Sequence, residues 1–213
     1  MLWRPVEFQN IVVCLGSFHM VKIFLGCIGK YLRDSGAESI WIENGIFGPN
    51  VTQAVLGGSH YVRSLAGMTL LSETMERLQW EAFFDELGIA KYQGPLGILR
   101  EMKASVSEKD RLESQQLLAD FATSSGILFD DFEEFKRQKS ERSETFRYWA
   151  TFIDMVNLAK DLVRADREGN WQLHLETVEA ILPYFATFDS TNYLCWSSLY
   201  LADMQSLPET SYS

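Results

Sequence analysis

The run Ile11-Val12-Val13-Cys14-Leu15 sets the first constraint on this chain. It is continuous, apolar and β-branched at its start, which is the signature of a buried strand. A single strand is not stable alone, because its backbone donors and acceptors need neighbouring strands to pair with. The chain offers few. Ser39-Ile40-Trp41-Ile42 is the one other short candidate, and it fits a helical turn equally well. The remaining periodic segments carry a helical spacing. The expected class is therefore mainly α: a helical bundle or insert with one or two short N-terminal strands whose sheet partners are lacking. Residues 1–48 read as a strand followed by a helix, and 49–213 as a helical domain.

The helices are read from spacing and from their ends. Phe18, Val21, Leu25, Ile28 and Leu32 recur at helical intervals, with Ser17 as a candidate N-cap and Gly36 beyond the end. Residues 43–58 hold Gly45, Gly48, Pro49, Gly57 and Gly58 and read as loop around one short helix. Ser59 is the expected cap of a long helix running to about Leu87, stopped by Gly88. Gly94-Pro95 reads as a break. A helix to about Ala104 and another from Ser107 to Thr123 follow. Asp130 to Glu134 form an acidic cluster among Phe129, Phe132 and Phe135. It reads as a solvated face over an aromatic anchor, with Phe132 and Phe135 turned inward. In the last third, Phe146 to Val163 mark one helix, Gly169 ends it and Asn170 caps the next. Trp171, His174, Val178, Ile181 and Phe185 stripe that helix, with Pro183 expected to bend or shorten its last turn. Asp189 or Ser190 begins a third helix through Tyr193, Trp196, Leu199, Tyr200 and Met204.

Charge narrows the partners. The net charge is -10, and residues 101–213 carry a surplus of nine acidic groups while residues 1–50 are neutral. Phosphate tracking needs clustered Lys and Arg, so strong nucleic-acid binding is not expected. With 46% hydrophobic residues and 13% aromatic, the chain can offset the entropy of ordering, which excludes a mainly disordered state. The most apolar stretch, Ile11 to Leu32, is interrupted by His19, Lys22 and Lys30, so no membrane span is expected. Glu7 interrupts what could otherwise be a leader. Cys14, Cys27 and Cys195 lack metal or redox spacing and read as buried free thiols of an intracellular protein, nuclear or cytoplasmic.

No catalytic constellation is complete in the sequence. The histidines are His19, His60 and His174, with no zinc-binding array among them. His174 lies on an apolar stripe and reads as a hydrogen-bonded core histidine. No nucleophile elbow or phosphate loop is present: Leu15-Gly16-Ser17-Phe18-His19 fits neither, and Gly26-Cys27-Ile28-Gly29 lies inside a helix. Two-metal chemistry needs acids at strand ends, and the run Ile11–Leu15 ends in Gly16.

Two segments carry a family likeness. Ile11 to His19 with Phe24-Leu25-Gly26-Cys27-Ile28-Gly29-Lys30, and the stretch from Trp149 to Met204 centred on Leu162 to Leu175, resemble uncharacterised, transposable-element-associated reading frames of animal genomes. Such frames resemble RNase H-like transposases with a helical insertion. The resemblance implies a parent that performs metal-dependent DNA strand transfer, with three acids on a mixed sheet. Some branches place an acid or Cys, two residues and a His after a core strand. Here that stretch is Gly16-Ser17-Phe18-His19, so His19 is the one candidate catalytic residue, and the acid is missing. The resemblance implies that residues 1–48 are a strand–helix remnant of an α/β core and that the catalytic acids would lie before residue 1 and after residue 213. The expectation is a non-catalytic fragment of a transposase-derived protein, with no cofactor of its own and Mg2+ required only by a complete parent site. Its partner would be another protein or the remainder of the parent chain. The alternative is an acidic helical protein–protein interaction module.

Overall fold

The computed structural model describes residues 16–105 and 111–205. The expected strand at Ile11–Leu15 lies outside the described residues. Among the described residues there are ten α-helices and no strand. They are α1 (Ser17–Tyr31), α2 (Ala37–Glu43), α3 (Pro49–Leu56), α4 (Tyr61–Leu87), α5 (Gln93–Ser105), α6 (Arg111–Ser124), α7 (Gly126–Arg142), α8 (Glu144–Glu168), α9 (Trp171–Thr187) and α10 (Thr191–Gln205), with a 3-10 turn at Ile89–Tyr92. The second expected strand, Ser39–Ile42, is helical and belongs to α2. Gly36 starts that helix from the left-handed region (φ 85°), and Trp41 is buried with its ring edge against Phe47. Tertiary burial outweighs the β preference of two isoleucines.

The chain forms two compact units, the first joining the residues up to Leu71 to those from Asp154 onward, the second spanning Ser72–Ile153. Both boundaries fall inside long helices, α4 and α8.

In the first unit α1 packs on α3 and α9, and α10 packs on α9. Met20, Phe24, Leu25 and Ile28 of α1 are fully buried, as are Val178, Ile181 and Phe185 of α9. Phe24 meets Phe185 edge to face, with centroids 6.2 Å apart. Two glycines permit the close approach of α1 to the end of α3. A Cβ on Gly29 would lie 2.5 Å from the Leu56 carbonyl carbon, and one on Gly58 (φ 66°) 2.6 Å from the Lys22 carbonyl oxygen. Lys30 Nζ donates to the carbonyl oxygen of Phe188, 2.6 Å away. Phe188 is the C-cap of α9, so the ammonium sits at the negative end of that helix and ties it to α1.

The second unit is built on aromatic rings. Phe83, Tyr92, Leu128, Phe132 and Phe135 form its core, with Trp80, Phe84, Leu96 and Phe146 packed around them. Phe132 and Phe135 face inward on the acidic helix α7, as the pattern predicts. Trp80 stacks on Phe132 with planes 10° apart, and Phe83 meets Phe132 and Phe135 edge to face. Asp131 accepts hydrogen bonds from Lys91 Nζ (2.6 Å) and the Tyr92 hydroxyl (2.8 Å), which pins the 3-10 turn to α7. Gly94 and Pro95 do not interrupt a helix. They lie in the first turn of α5, where a missing N–H and a fixed φ are tolerated.

Candidate functional site

The densest long-range polar cluster among the described residues joins four helices of the first unit. It starts from a turn legible in the sequence. Gly169 adopts φ 64°, and the Asn170 side chain then caps α9 by accepting from the Leu173 backbone N–H at 3.1 Å. This sets His174 on the first turn of α9, facing the end of α8 and the middle of α10. His174 is 5% exposed. Its Nδ1 lies 3.4 Å from Asp166 Oδ1, and its Nε2 lies 3.1 Å from the Tyr200 hydroxyl. Trp171 stacks parallel to the imidazole at 5.5 Å. Ser17, in the first turn of α1, donates its hydroxyl to the same Asp166 oxygen at 2.7 Å.

The proton positions follow from the partners. A carboxylate only accepts, so Nδ1 of His174 carries the proton and Nε2 accepts from Tyr200. Burial pushes the His174 pKa below its ordinary value, and the Asp166 carboxylate opposes that shift. Asp166 is 43% exposed, so its charge keeps contact with water while one oxygen serves both Ser17 and His174. It also places a negative charge at the N-terminus of α1, whose N-cap Gly16 has no side chain to offer. In this arrangement the histidine is a buried connector: Nε2, the nitrogen that would act as a base, is occupied by Tyr200. His174 is thus a hydrogen-bonded core histidine, as its place on the apolar stripe predicts.

His19 is elsewhere. It is exposed on the first turn of α1, with its ring edge against Phe18 at 5.6 Å. It lines a groove of about 350 Å³ together with Gly16, Tyr193 and Trp196. His60 is also exposed. Among the described residues no three His, Cys, Asp or Glu side chains are grouped so as to hold a metal ion. A larger cavity of about 500 Å³ lies where α1, α2 and α3 meet, lined in part by Lys30, Glu38 and Gln53. Those groups have partners: Gln53 Nε2 donates to Glu38, and Lys30 donates to Phe188.

A family match spans residues 3–212, nearly the whole chain. The chain belongs to the family described as Domain of unknown function (DUF8702). No curated protein and no solved structure matches it.

Some features of this DUF8702 chain depart from their sequence reading. Ser17 is not the cap of α1; Gly16 holds that position, and the Ser17 hydroxyl is given to Asp166. Ser59 does not cap α4 either: its hydroxyl donates to the Ala54 carbonyl at 2.8 Å and closes α3. Cys27 is buried against Ser190, with its thiol pKa raised by burial, but Cys195 is exposed. Cys14 lies outside the described residues. No helix among the described residues is long and apolar enough to cross a membrane. Sequence reading missed Asp166 and Tyr200 as partners of His174. The spacing Asp166–His174 across a Gly-Asn turn is the one local signal that could have found the first of them.

Proposed function

We propose that this DUF8702 chain is a non-catalytic, transposase-derived protein that works by binding another protein, and that the partner presents a basic amphipathic helix. The observation that carries the reading is the surface of the second unit where α6 meets α7. Ile127 is 69% exposed and Phe129 44%, and Leu118 of α6 is also exposed. Phe129 and Phe121 meet edge to face across the α6–α7 turn, and Leu118 lies about one helical turn before Phe121 on α6. Asp120 and Asp130, next in sequence to Phe121 and Phe129, are exposed. Residues Ser72–Ile153 hold 16 Asp and Glu against 11 Lys and Arg. Apolar side chains rimmed by negative charge fit a helix with an apolar stripe and lysines or arginines beside it. The same charge disfavours a nucleic-acid backbone as partner. The buried thiol of Cys27 and the free thiol of Cys195 fit a reducing, intracellular setting.

The test uses two synthetic helices with the same apolar stripe, one flanked by lysines and one by glutamates. The lysine helix binds, its affinity falls as salt is raised, and Phe129→Ser weakens it about tenfold. Equal binding of both helices, or full binding by the Phe129→Ser and Leu118→Ser chains, overturns the reading. The transposase lineage is tested separately by the genomic sequence flanking the reading frame. Remnants of a sheet with acidic strand ends support it, and unrelated flanks refute it.

A further inference from the structure

The cavity of about 500 Å³ where α1, α2 and α3 meet has the size of a small-molecule site, for which roughly 300–1,000 Å³ is usual. Its charged lining is balanced, with Lys30 and Arg33 against Asp34 and Glu38. The local chain explains how the four come together. Helix α1 ends at Tyr31, but the Arg33 N–H still reaches back to the Lys30 carbonyl at 3.3 Å, so the two cations lie one tight turn apart. Asp34 then takes φ 64° and Gly36 φ 85°, which turns the chain into α2 and brings Glu38 to the same cavity. A residue other than glycine is uncommon in the left-handed region, and aspartate is one of the few types that tolerate it.

Two of the four charges are already engaged. Lys30 Nζ donates to the Phe188 carbonyl, and one oxygen of Glu38 accepts from Gln53. The other two are not. Among the described residues neither the Arg33 guanidinium nor the Asp34 carboxylate has a hydrogen-bond or ion-pair partner, although the two are sequence neighbours of opposite charge. Arg33 thus offers a planar fork of donors that matches a carboxylate, and Asp34 offers two acceptor oxygens for an ammonium. Leu32 and Leu56 add apolar lining beside them. Gly26, Gly29 and Gly57 contribute backbone without side chains, so nothing fills the cavity from the wall where α1 crosses the end of α3.

A simple anion such as phosphate would meet the carboxylates, and a simple cation would meet Lys30 and Arg33. A ligand that carries both charges satisfies both. We propose that this cavity binds a free amino acid with an aliphatic side chain, its carboxylate on Arg33, its ammonium on Asp34 and its side chain against Leu32 and Leu56. All of these residues belong to the first unit, so the site does not involve the acidic surface on the second.

The probe is L-leucine, titrated into the isotope-labelled full chain and followed by NMR. The amide signals of Gly26, Gly29 and Gly57 should shift and saturate at millimolar concentration. Gly169, whose N–H bonds to Asp166 near the opposite end of α1, should not move. Arg33→Gln and Asp34→Asn should each weaken leucine about tenfold. Both side chains are exposed, and asparagine tolerates the left-handed backbone as aspartate does, so both chains should fold; unchanged signals elsewhere check this. Two analogues test the assignment of each charge. N-acetyl-leucine has no ammonium, so Asp34→Asn should not weaken it. Leucine amide has no carboxylate, so Arg33→Gln should not weaken it. Three results overturn the proposal: no saturable shift at the three glycines, equal shifts with inorganic phosphate, or variants that bind leucine as the unsubstituted chain does.

Discussion

Gly26 and Gly29 stand three residues apart on α1, and alanine at the two positions should have opposite effects. Alanine favours a helix interior over glycine by about 1 kcal/mol, so each substitution begins with that gain. At Gly26 the new Cβ meets the Gly57 carbonyl oxygen at 3.5 Å, an ordinary contact, and the gain should survive. At Gly29 it would stand 2.5 Å from the Leu56 carbonyl carbon and 2.9 Å from the Leu56 Cα. Both are backbone atoms, so no rotamer can relieve the clash. The Leu56 carbonyl oxygen lies closer still, and ordinary contact begins near 3.4 Å, so α1 and α3 must part locally by well over 1 Å. Val55 and Ile28 are fully buried beside that crossing and would lose contacts on both sides. Overpacking of this kind costs about 1–3 kcal/mol, more where backbone must shift. The net expectation is that Gly26→Ala is neutral or stabilising by up to about 1 kcal/mol, and Gly29→Ala destabilising by about 2 kcal/mol or more. Urea unfolding followed by circular dichroism measures both as shifts in midpoint at unchanged slope. If Gly29→Ala unfolds at the same urea concentration as Gly26→Ala, the α1–α3 crossing is not as close as described and the argument fails.

Other expectations follow from the two cores. His174 is held neutral by burial, so the unfolded chain takes up a proton at a pH where the folded chain resists it. Stability should therefore fall as pH drops below about 6.5, the ordinary histidine value, and unfolding midpoints from pH 7 to 5 should lose part of that slope in His174→Gln. Tyr200→Phe leaves His174 Nε2 buried with no hydroxyl to accept from, at a cost of about 1–3 kcal/mol; no change in midpoint would mean the bond contributes nothing. Phe132→Ala removes the ring that Trp80 stacks on and should cost about 3–5 kcal/mol, with hydrogen exchange accelerating in 72–153 before 16–71. Uniform acceleration across both units would refute that locality.

How much of this was legible in the sequence depends on the range of the interaction involved. Helix existence was, because the apolar period is local: α1, α4, α8, α9 and α10 lie where their stripes place them. Glycine stops were also legible, since Gly88 and Gly169 adopt positive φ at the ends of α4 and α8. Pro183 did not cut α9 short, and the helix runs on to Thr187, whose hydroxyl donates to the Pro183 carbonyl. The compact units divide within α4 and α8, where no Gly, Pro or charge run marks the chain. A continuous helix passing from one unit to the next leaves no trace in local pattern.

The polar cluster shows the same limit from the side of chemistry. His174 could be placed in the core from its stripe, because burial follows from period. Its tautomer could not, because that depends on Asp166 and Tyr200, and the joint at Asp166 depends in turn on Ser17, 149 residues away. Ser17 itself was misread for a general reason. A serine before an apolar helical run satisfies the local rule for a cap, yet the hydroxyl is free to take a stronger, charged acceptor if the fold supplies one. Asp166 is that acceptor, and it sets a carboxylate beside the first turn of α1, which no side chain caps. Residues 16–19, which the resemblance would place at a catalytic strand end, divide between two tasks. Ser17 joins the cluster, while His19 and Gly16 line the groove beside Tyr193 and Trp196. Substituting His19 with Ala should therefore leave the pH dependence set by His174 intact, with unfolding midpoints from pH 7 to 5 keeping their slope. A changed slope would mean that His19 acts on the cluster, as a catalytic partner of His174 would.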